Sequence, residues 1–562
     1  MTAIVRRGVA AGSRQWPEGL HPVLRRVFER RAVASPAELD LKLESLVPIG
    51  RFGDLEPAVA LLLAHRDSPV LIVGDFDADG ATSTALMLLT LRGLGFRRVS
   101  YRIPDRFREG YGLSRALVDS LDASEAALLV TVDNGISSHE GVARARARGI
   151  DVLITDHHLP PDVLPDANVI VNPNLRGSAF PGKSLAGVGV AFYLLAALGR
   201  ALGSPSAVAA YLDLVALGTV ADLVRLDQSN RILVDQGIRR IRAGRCRPGI
   251  SALLELAGSD PRSVTTATLG FRVAPRLNAA GRLDDMSVGV KCLISESAAE
   301  ARSLAETLDA LNRSRQDLEA GMKADAIAIV DAFTLNEPSL PHAICLRRDE
   351  WHEGLVGLVA SRIRERFHRP CFAFAAAEAG DLKGSGRSVP GFHLRDALAE
   401  IDAANPGLID RFGGHAMAAG LSLKAGAFDR FAIALLDVAR SKLSPDSLGR
   451  QILSDGALEP EHLNLEVAKL LRDAAPWGQG FPEPCFDDRF ELVESRTLKD
   501  AHLRLRLKTL AGGCVLDAIA FHQADATWSV GTVRRIAYRL AVNDYFSDDK
   551  VQLIIEHIEA SD

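Results

Sequence analysis

The stretch Leu71-Ile72-Val73-Gly74-Asp75-Phe76-Asp77-Ala78-Asp79-Gly80 constrains the fold of this chain more than any other. A short apolar run closed by glycine reads as a buried strand leaving a sheet, and the following Ala81 to Met87 reads as the start of a helix. In an α/β sheet, ligands collect where the carboxyl ends of strands open into loops. Asp75, Asp77 and Asp79 alternate, so in extended geometry they share one side of the chain. Three like charges so close repel unless a cation sits among them, which points to a divalent metal. A cap for the next helix explains one aspartate, but hardly three. An EF-hand loop is excluded: with Asp75 at its first position the twelfth is Leu86, which carries no carboxylate.

The same arrangement recurs along the chain. Strands are expected at 70–73, 99–103, 127–132, 152–155 and 169–171, most of them separated by segments long enough for crossover helices. That is the mark of βαβ units and a mostly parallel sheet. The third strand runs into Asp133-Asn134-Gly135 and the fourth into Asp156-His157-His158. In a parallel sheet those ends converge on one edge. An apolar helix expected over 211–219 leads to Val220-Ala221-Asp222, and a buried aspartate is costly without a partner. Joining the cluster relieves it. Carboxylates and imidazoles without a thiolate suit Mn²⁺ or Mg²⁺. Five or more such ligands exceed what one ion needs, so two metals are expected, the arrangement that activates water and stabilises both oxygens of a phosphoryl displacement.

Composition limits the alternatives. At 562 residues, 47% hydrophobic and 24% charged, the chain has material for several domains with large cores. A net charge of -5 excludes a protein coated in positive charge, but not one with a local basic groove. Six cysteines are scattered without a C-x-x-C pair, which suggests reduced thiols in a cytoplasmic protein. Met1 to Pro17 has no apolar signal core, and the longest uncharged run, Ser184 to Gly199, falls short of the ~20 residues of a membrane span. A soluble monomer with no membrane association is expected.

Beyond the sheet, residues 1–45 read as a peripheral arm, and Pro275 to Arg282 as a short irregular segment presenting Arg276, Asn278 and Arg282. These three, with Arg106, Tyr111 and Gly112 after the second strand, are candidates to contact a strand backbone and stack bases. From about 290 to 333 the alanine-, leucine- and charge-rich pattern predicts one long helix suited to bridging two domains across a cleft. Gly384-Ser385-Gly386-Arg387-Ser388 reads on its own as a surface turn with a solvated arginine, a loop whose N–H groups and guanidinium also suit a phosphate, and Gly413-Gly414-His415 permits close backbone approach. After about 455 come five strand-like runs. His502 to Lys508 alternates strictly between apolar and basic, which fits an OB-fold of antiparallel strands whose groove Arg534, Arg535, Arg539, Tyr538 and Phe521 would extend.

Taken in order, Gly74 to Gly80, Asp133-Asn134-Gly135, Asp156-His157-His158, Val220-Ala221-Asp222, Pro275 to Arg282, Ser385 to Ser388 and Gly413-Gly414-His415 resemble the DHH phosphoesterase superfamily. Within it, the chain resembles the RecJ family of bacterial single-strand-specific 5′→3′ DNA exonucleases. The resemblance implies an α/β architecture in parts: a DHH-type parallel-sheet catalytic domain (46–288), a bridging helix (289–334), a DHH-associated α/β domain (335–450) and a C-terminal OB-like β-barrel (451–562). It implies two Mn²⁺ or Mg²⁺ ions on Asp77, Asp79, Asp133, His157 and Asp222, with Asp75 a sixth candidate; Val73 stands where many DHH enzymes carry a histidine. It sets His158 against the substrate phosphate as donor or general acid, and Asp156 behind an imidazole. Ser385 and Arg387, with Arg276, would hold a terminal 5′ phosphate, and Gly414 and His415 would line the substrate. The implied partners are single-stranded DNA, a single-strand-binding protein and a repair helicase. Two rival readings are a DHH phosphodiesterase of short oligonucleotides, against which the barrel argues, and a non-catalytic RecJ-like replication scaffold, against which the intact ligands argue.

Overall fold

The computed structural model describes the chain except residues 1, 10–14, 106–108, 110–111, 123, 335–339, 378–379, 445–447, 500, 525–527, 544–548 and 560–562, and the side chains of 332–334. Two compact units emerge: Arg6–Asn312 with Ser454–Asp562, and Met1–Val5 with Arg313–Leu453.

The larger unit is built on a five-stranded parallel sheet in the spatial order Val99–Arg102, Val70–Val73, Leu128–Val132, Asp151–Thr155, Val169–Val171. The expected strands are all present, with ends shifted by at most one residue. Alternate side chains feed two cores. Val70, Ile72, Leu128 and Val130 pack with helices Ala78–Gly93, Gly187–Ala201 and Leu212–Ala221. Leu71, Val73, Leu129 and Val152 pack with helices Arg115–Asp119 and His139–Ala147. Helices on both faces explain why the central strands are apolar at nearly every position. The chain winds outward to Val99–Arg102 and then back past Val70–Val73, so the order reverses between Val70–Val73 and Leu128–Val132. In a doubly wound sheet that switch point is where a ligand crevice opens.

The N-terminal segment is not a peripheral arm. Helix Pro22–Glu29 buries Val23, Leu24, Val27 and Phe28 in the main core. Phe28 stacks on Trp477 at 6.1 Å and on Phe481 at 6.3 Å, so this helix lies against the segment that leads into the C-terminal barrel. Its basic residues misled the sequence reading because they are used internally. Arg31 meets Asp455 through two bonds of 2.9 and 3.0 Å, both side chains being buried. Pro275 to Arg282 is also regular. It forms helix Ala274–Leu283, entered from a π-helical turn at Leu269–Val273, because a proline in the first turn loses no helical hydrogen bond.

The barrel closes in the order Phe486–Leu498, His502–Thr509, Val515–Ala520, Lys550–Ile558, Val533–Asn543. One pair, Val515–Ala520 with Lys550–Ile558, is parallel. An odd number of strands cannot alternate direction around a closed ring, so the all-antiparallel expectation could not hold. Leu503, Leu505 and Leu507 fill the interior as the alternation predicts.

The expected long helix is interrupted at its start: helix Ser287–Ile294 ends at Ser295, and the 37-residue helix Ala298–Thr334 begins after it, the division into units falling between Asn312 and Arg313. In the smaller unit a five-stranded mixed sheet runs Arg411–Gly414, Ala418–Leu423, Leu382–Arg387, Cys371–Ala376, Ile344–Arg347. The Gly384-Ser385-Gly386-Arg387 segment is therefore its central strand and not a loop. Its glycines are spatial: a Cβ on Gly384 would fall 2.2 Å from Phe374, and one on Gly386 2.4 Å from Phe372.

The buried Arg31–Asp455 pair gives a direct check. Removing one partner of such a pair leaves an uncompensated charge, so Arg31→Ala is expected to cost about 3–5 kcal/mol in urea unfolding; a loss near zero would contradict this account of how the N-terminal helix is held.

Candidate metal centre

Asp77 caps helix Ala78–Gly93, its Oδ1 accepting from Gly80 N at 3.0 Å, while Ala78 N donates to Asn278 Oδ1 at 2.8 Å. The helix thus begins before Asp79. The three aspartates do not share one side of an extended chain, as expected from spacing; Asp79 turns inward with the first helical turn. There its two oxygens accept from Gly187 N (2.7 Å) and Val188 N (3.0 Å), the first N–H groups of helix Gly187–Ala201. A helix N-terminus is a favourable seat for a carboxylate.

Asp133 follows its strand in a left-handed conformation, φ 63°, a strain of the kind kept at functional sites. Asn134 holds that turn, its Nδ2 donating to Val73 O (3.1 Å) and Val132 O (2.9 Å) across the switch point. Gly187 is needed here for space, since a Cβ would lie 2.5 Å from the Asp133 side chain. The His157-His158 turn is clamped from both sides. Asp156 accepts from His157 N (2.7 Å), Ile136 N (2.9 Å) and the His158 Nδ1 (2.7 Å). From the other side, Asn174 Nδ2 bonds His157 O at 2.7 Å and Asn172 Nδ2 bonds His158 O at 2.9 Å. Asp156 therefore orients an imidazole, and the one it orients is His158.

These devices bring every expected ligand together. Ligand atoms lie within 4.8 Å of one another in three overlapping groups: Asp75, Asp77 and Asp133; Asp79, His157 and Asp222; Asp133, His157 and His158. His157 Nε2 is 3.1 Å from Asp133 Oδ1 and 3.5 Å from Asp222 Oδ2, so Asp133 and His157 stand between the outer groups. Burial, with repulsion from Asp77, pushes Asp79 up to about 7 despite its two N–H donors. Burial, and then Asp79 and Asp77, raise Asp133 and Asp222 well above the carboxylate range. Burial alone would lower His158, but the Asp156 hydrogen bond and the charges of Asp156, Asp222 and Asp75 raise it to about 9. An oxygen-rich, thiolate-free set with that much unrelieved negative charge fits divalent cations of the Mn²⁺ or Mg²⁺ kind.

The residues expected to touch substrate fare differently. Arg106 and Tyr111 lie outside the described residues. Gly112, with φ 67°, abuts Asn134. Asn278 is occupied in capping the metal loop, and Arg276 pairs with Asp309 at 2.8 Å, so both serve to position the site. Arg282 is on the same helix, beside Gly281, where a Cβ would collide with Phe76 O at 1.6 Å. In the smaller unit Arg387 Nη1 donates to Ser385 Oγ (3.1 Å) and Gly386 O (2.8 Å), and no carboxylate among the described residues pairs with it. Burial, and then Arg364, lower its pKa. A Cβ on Gly357, in the first turn of helix Val356–Phe367, would sit 2.9 Å from Ser385 Oγ and 3.0 Å from Arg387 Nη2. A half-buried guanidinium without a counter-ion, beside a helix N-terminus, is suited to an anion. Gly414 ends the edge strand at φ 135°, and His415 is exposed just beyond it.

On the barrel, three of the five residues expected to extend the groove are engaged elsewhere, while Phe521 is exposed. Tyr538 is 0% exposed, Arg535 is bound by Asp487 at 2.8 Å, and Arg539 by Glu556 at 2.6 Å. Arg504, Arg506 and Lys508 do face outward, at 4.0, 3.9 and 3.5 Å from Asp517, Glu494 and Glu491. Sequence reading missed Gly187, Asn172 and Asn174, whose roles depend on contacts distant in the chain.

Residues 69–219 match the DHH family, N-terminal domain; 340–441 match the DHHA1 domain; and 454–557 match the RecJ OB domain. The chain is 49% identical over 568 residues to the single-stranded-DNA-specific exonuclease RecJ of Salmonella typhimurium, covering 99% of this chain and 98% of that protein. The chain belongs to the RecJ family. Its similarity extends to the RecJ of Thermus thermophilus, at 35% identity over 506 residues, 89% of this chain and 70% of that protein. The crystal structure of that RecJ in complex with Mn²⁺ superposes with a TM-score of 0.81 at 30% identity, covering 97% of this chain and 76% of that one. Its complex with Mg²⁺ gives 0.74 at 29% identity, covering 97% and 75%.

The raised groups make stability without metal depend on pH. A folded pKa above its unfolded value contributes stability that is present below the unfolded pKa and lost as pH rises through the folded one. Asp79 (about 7) and His158 (about 9) both act in that direction. The metal-free protein should therefore show a falling Tm from pH 6 to pH 9, and Mn²⁺ should flatten the slope. A metal-free Tm that is constant or rises over that window would contradict the electrostatics of the cluster.

Proposed function

We propose that the chain is a single-stranded-DNA-specific exonuclease that hydrolyses phosphodiester bonds from the 5′ end and releases 5′-mononucleotides. The observation that carries this reading is the pair of outer donor groups spanned by Asp133 and His157, in a chain of the RecJ family. When bound, two Mn²⁺ or Mg²⁺ ions supply Lewis acidity to the scissile phosphate and a water nucleophile at neutral pH.

The chain's own residues position and protonate. Asp75, Asp77 and Asp133 would hold one ion, and Asp79, His157 and Asp222 the other. His158, with Nδ1 turned to Asp156, is placed to donate to the phosphate and to give a proton to the departing 3′ oxygen. Arg387 and Ser385 take the 5′-terminal phosphate, whose extra charge distinguishes a chain end from an internal phosphodiester and so sets polarity. The outward cations Arg504, Arg506 and Lys508 track the phosphates of the remaining strand. No described helix is long and apolar enough to cross a membrane. In the cell long single strands arise by unwinding and are coated as they form. A repair helicase and a single-strand-binding protein therefore belong to the proposal as partners of a cytoplasmic monomer serving recombination and repair.

The test is purified protein with Mn²⁺ on end-labelled strands. A 5′ label should be released first, as mononucleotide, from single strands and not from blunt duplex. Arg387→Ala should lower kcat/KM about 10–100-fold on 5′-phosphorylated strands, the scale of one charged hydrogen bond, and leave 5′-hydroxyl strands nearly unchanged. Release from the 3′ end first, or equal cutting of duplex, would overturn the reading.

A further inference from the structure

Phe271 is 80% exposed, although it sits in the middle of the π-helical turn Leu269–Val273 whose ends, Leu269 and Val273, are fully buried. Single exposed apolar residues are ordinary on a protein surface, so exposure alone carries nothing. Position and rigidity give it meaning. The turn leads directly into helix Ala274–Leu283, which caps the metal loop through Asn278 seven residues on, about 10 Å along the helix axis. On its other side the turn lies against the helix that delivers Asp222: a Cβ on Gly270 would be 3.2 Å from Val220 Cγ1. Asp222 is itself followed by Leu223, 70% exposed and held in the left-handed conformation at φ 58°. Two large apolar side chains thus stand out on the elements that carry the cap of the metal loop and Asp222, on backbone that other contacts fix. The Arg276 guanidinium bonds Arg272 O and Asp309, and Arg272 Nη1 bonds Ser259 Oγ at 3.2 Å. π-helical turns of this kind are frequent at functional sites.

We infer that Phe271 is a base-stacking residue for the strand being cut; the inference rests on the exonuclease reading and adds a contact to base where the other substrate contacts are to phosphate. Every nucleobase presents a π-face, so an aromatic ring serves any sequence. A ring already fixed in position loses little conformational freedom on binding, which favours affinity. The turn's fixed geometry also gives Arg276 its role, holding the frame that presents Phe271.

The experiment compares wild type, Phe271→Ala and Phe271→Trp with Mn²⁺ on 5′-phosphorylated oligo-dT, and on the same strand with one abasic residue at each successive position. For Phe271→Ala, KM should rise about tenfold with kcat within twofold, whereas Phe271→Trp should stay near wild type. The effect of Phe271→Ala should vanish on the one strand whose base is missing at the stacked position. An unchanged KM, or an equal rise on every abasic strand, would overturn the inference while leaving the exonuclease reading intact. Wild type that releases no nucleotide would overturn that reading and this inference with it.

Discussion

Mutual repulsion among Asp75, Asp77, Asp79, Asp133 and Asp222 is the constraint on which the rest of the site depends. Five carboxylates at one sheet edge, three of them almost wholly buried, cannot all be ionised at low cost without positive charge among them. The fold supplies part of that charge through fixed dipoles, with the Gly187 and Val188 N–H groups on Asp79, and part through His158. The remainder calls for cations. The donor set, with oxygen and imidazole but no sulfur, selects hard divalent ions, and the surrounding hydrogen bonds hold the ligands in place before any ion arrives.

The same electrostatic criterion separates structural arginines from those offered to substrate. Arg31, Arg276, Arg535 and Arg539 each meet a carboxylate within 3 Å, and each locks one part of the larger unit to another. Among the described residues Arg387 meets a hydroxyl and a carbonyl and no carboxylate. On the barrel the outward cations have carboxylate neighbours at 3.5–4.0 Å, too loosely placed to compete with a strand of phosphates.

Much of the catalytic sheet was legible in sequence, because the signal is local: an apolar run, then an acid, repeated at three strand ends. What was not legible depends on tertiary placement. Asn278 looked like a phosphate contact and proves to cap the metal loop. Asp79 was expected beside Asp75 and Asp77, yet the helix starts early enough to turn it toward His157 and Asp222. Glycines misled twice over: Gly384 and Gly386 suggested a loop, whereas they make room for phenylalanine rings on a neighbouring strand. Tyr538 and Arg539 lie on one strand of the barrel, but one points into the core and the other into an acidic pair, which composition cannot reveal. The basic N-terminal segment hid an apolar helix face that joins the main core.

The site depends on cations filling the carboxylate cluster. Titration of the metal-free protein with Mn²⁺, followed by calorimetry and electron paramagnetic resonance, measures this directly. Two ions per chain are predicted, with the spin coupling of a close pair, and Asp133→Asn should abolish the coupling and weaken at least one site. Binding of a single ion, or of two without coupling, would contradict a centre in which Asp75, Asp77 and Asp133 would hold one ion and Asp79, His157 and Asp222 a second close by.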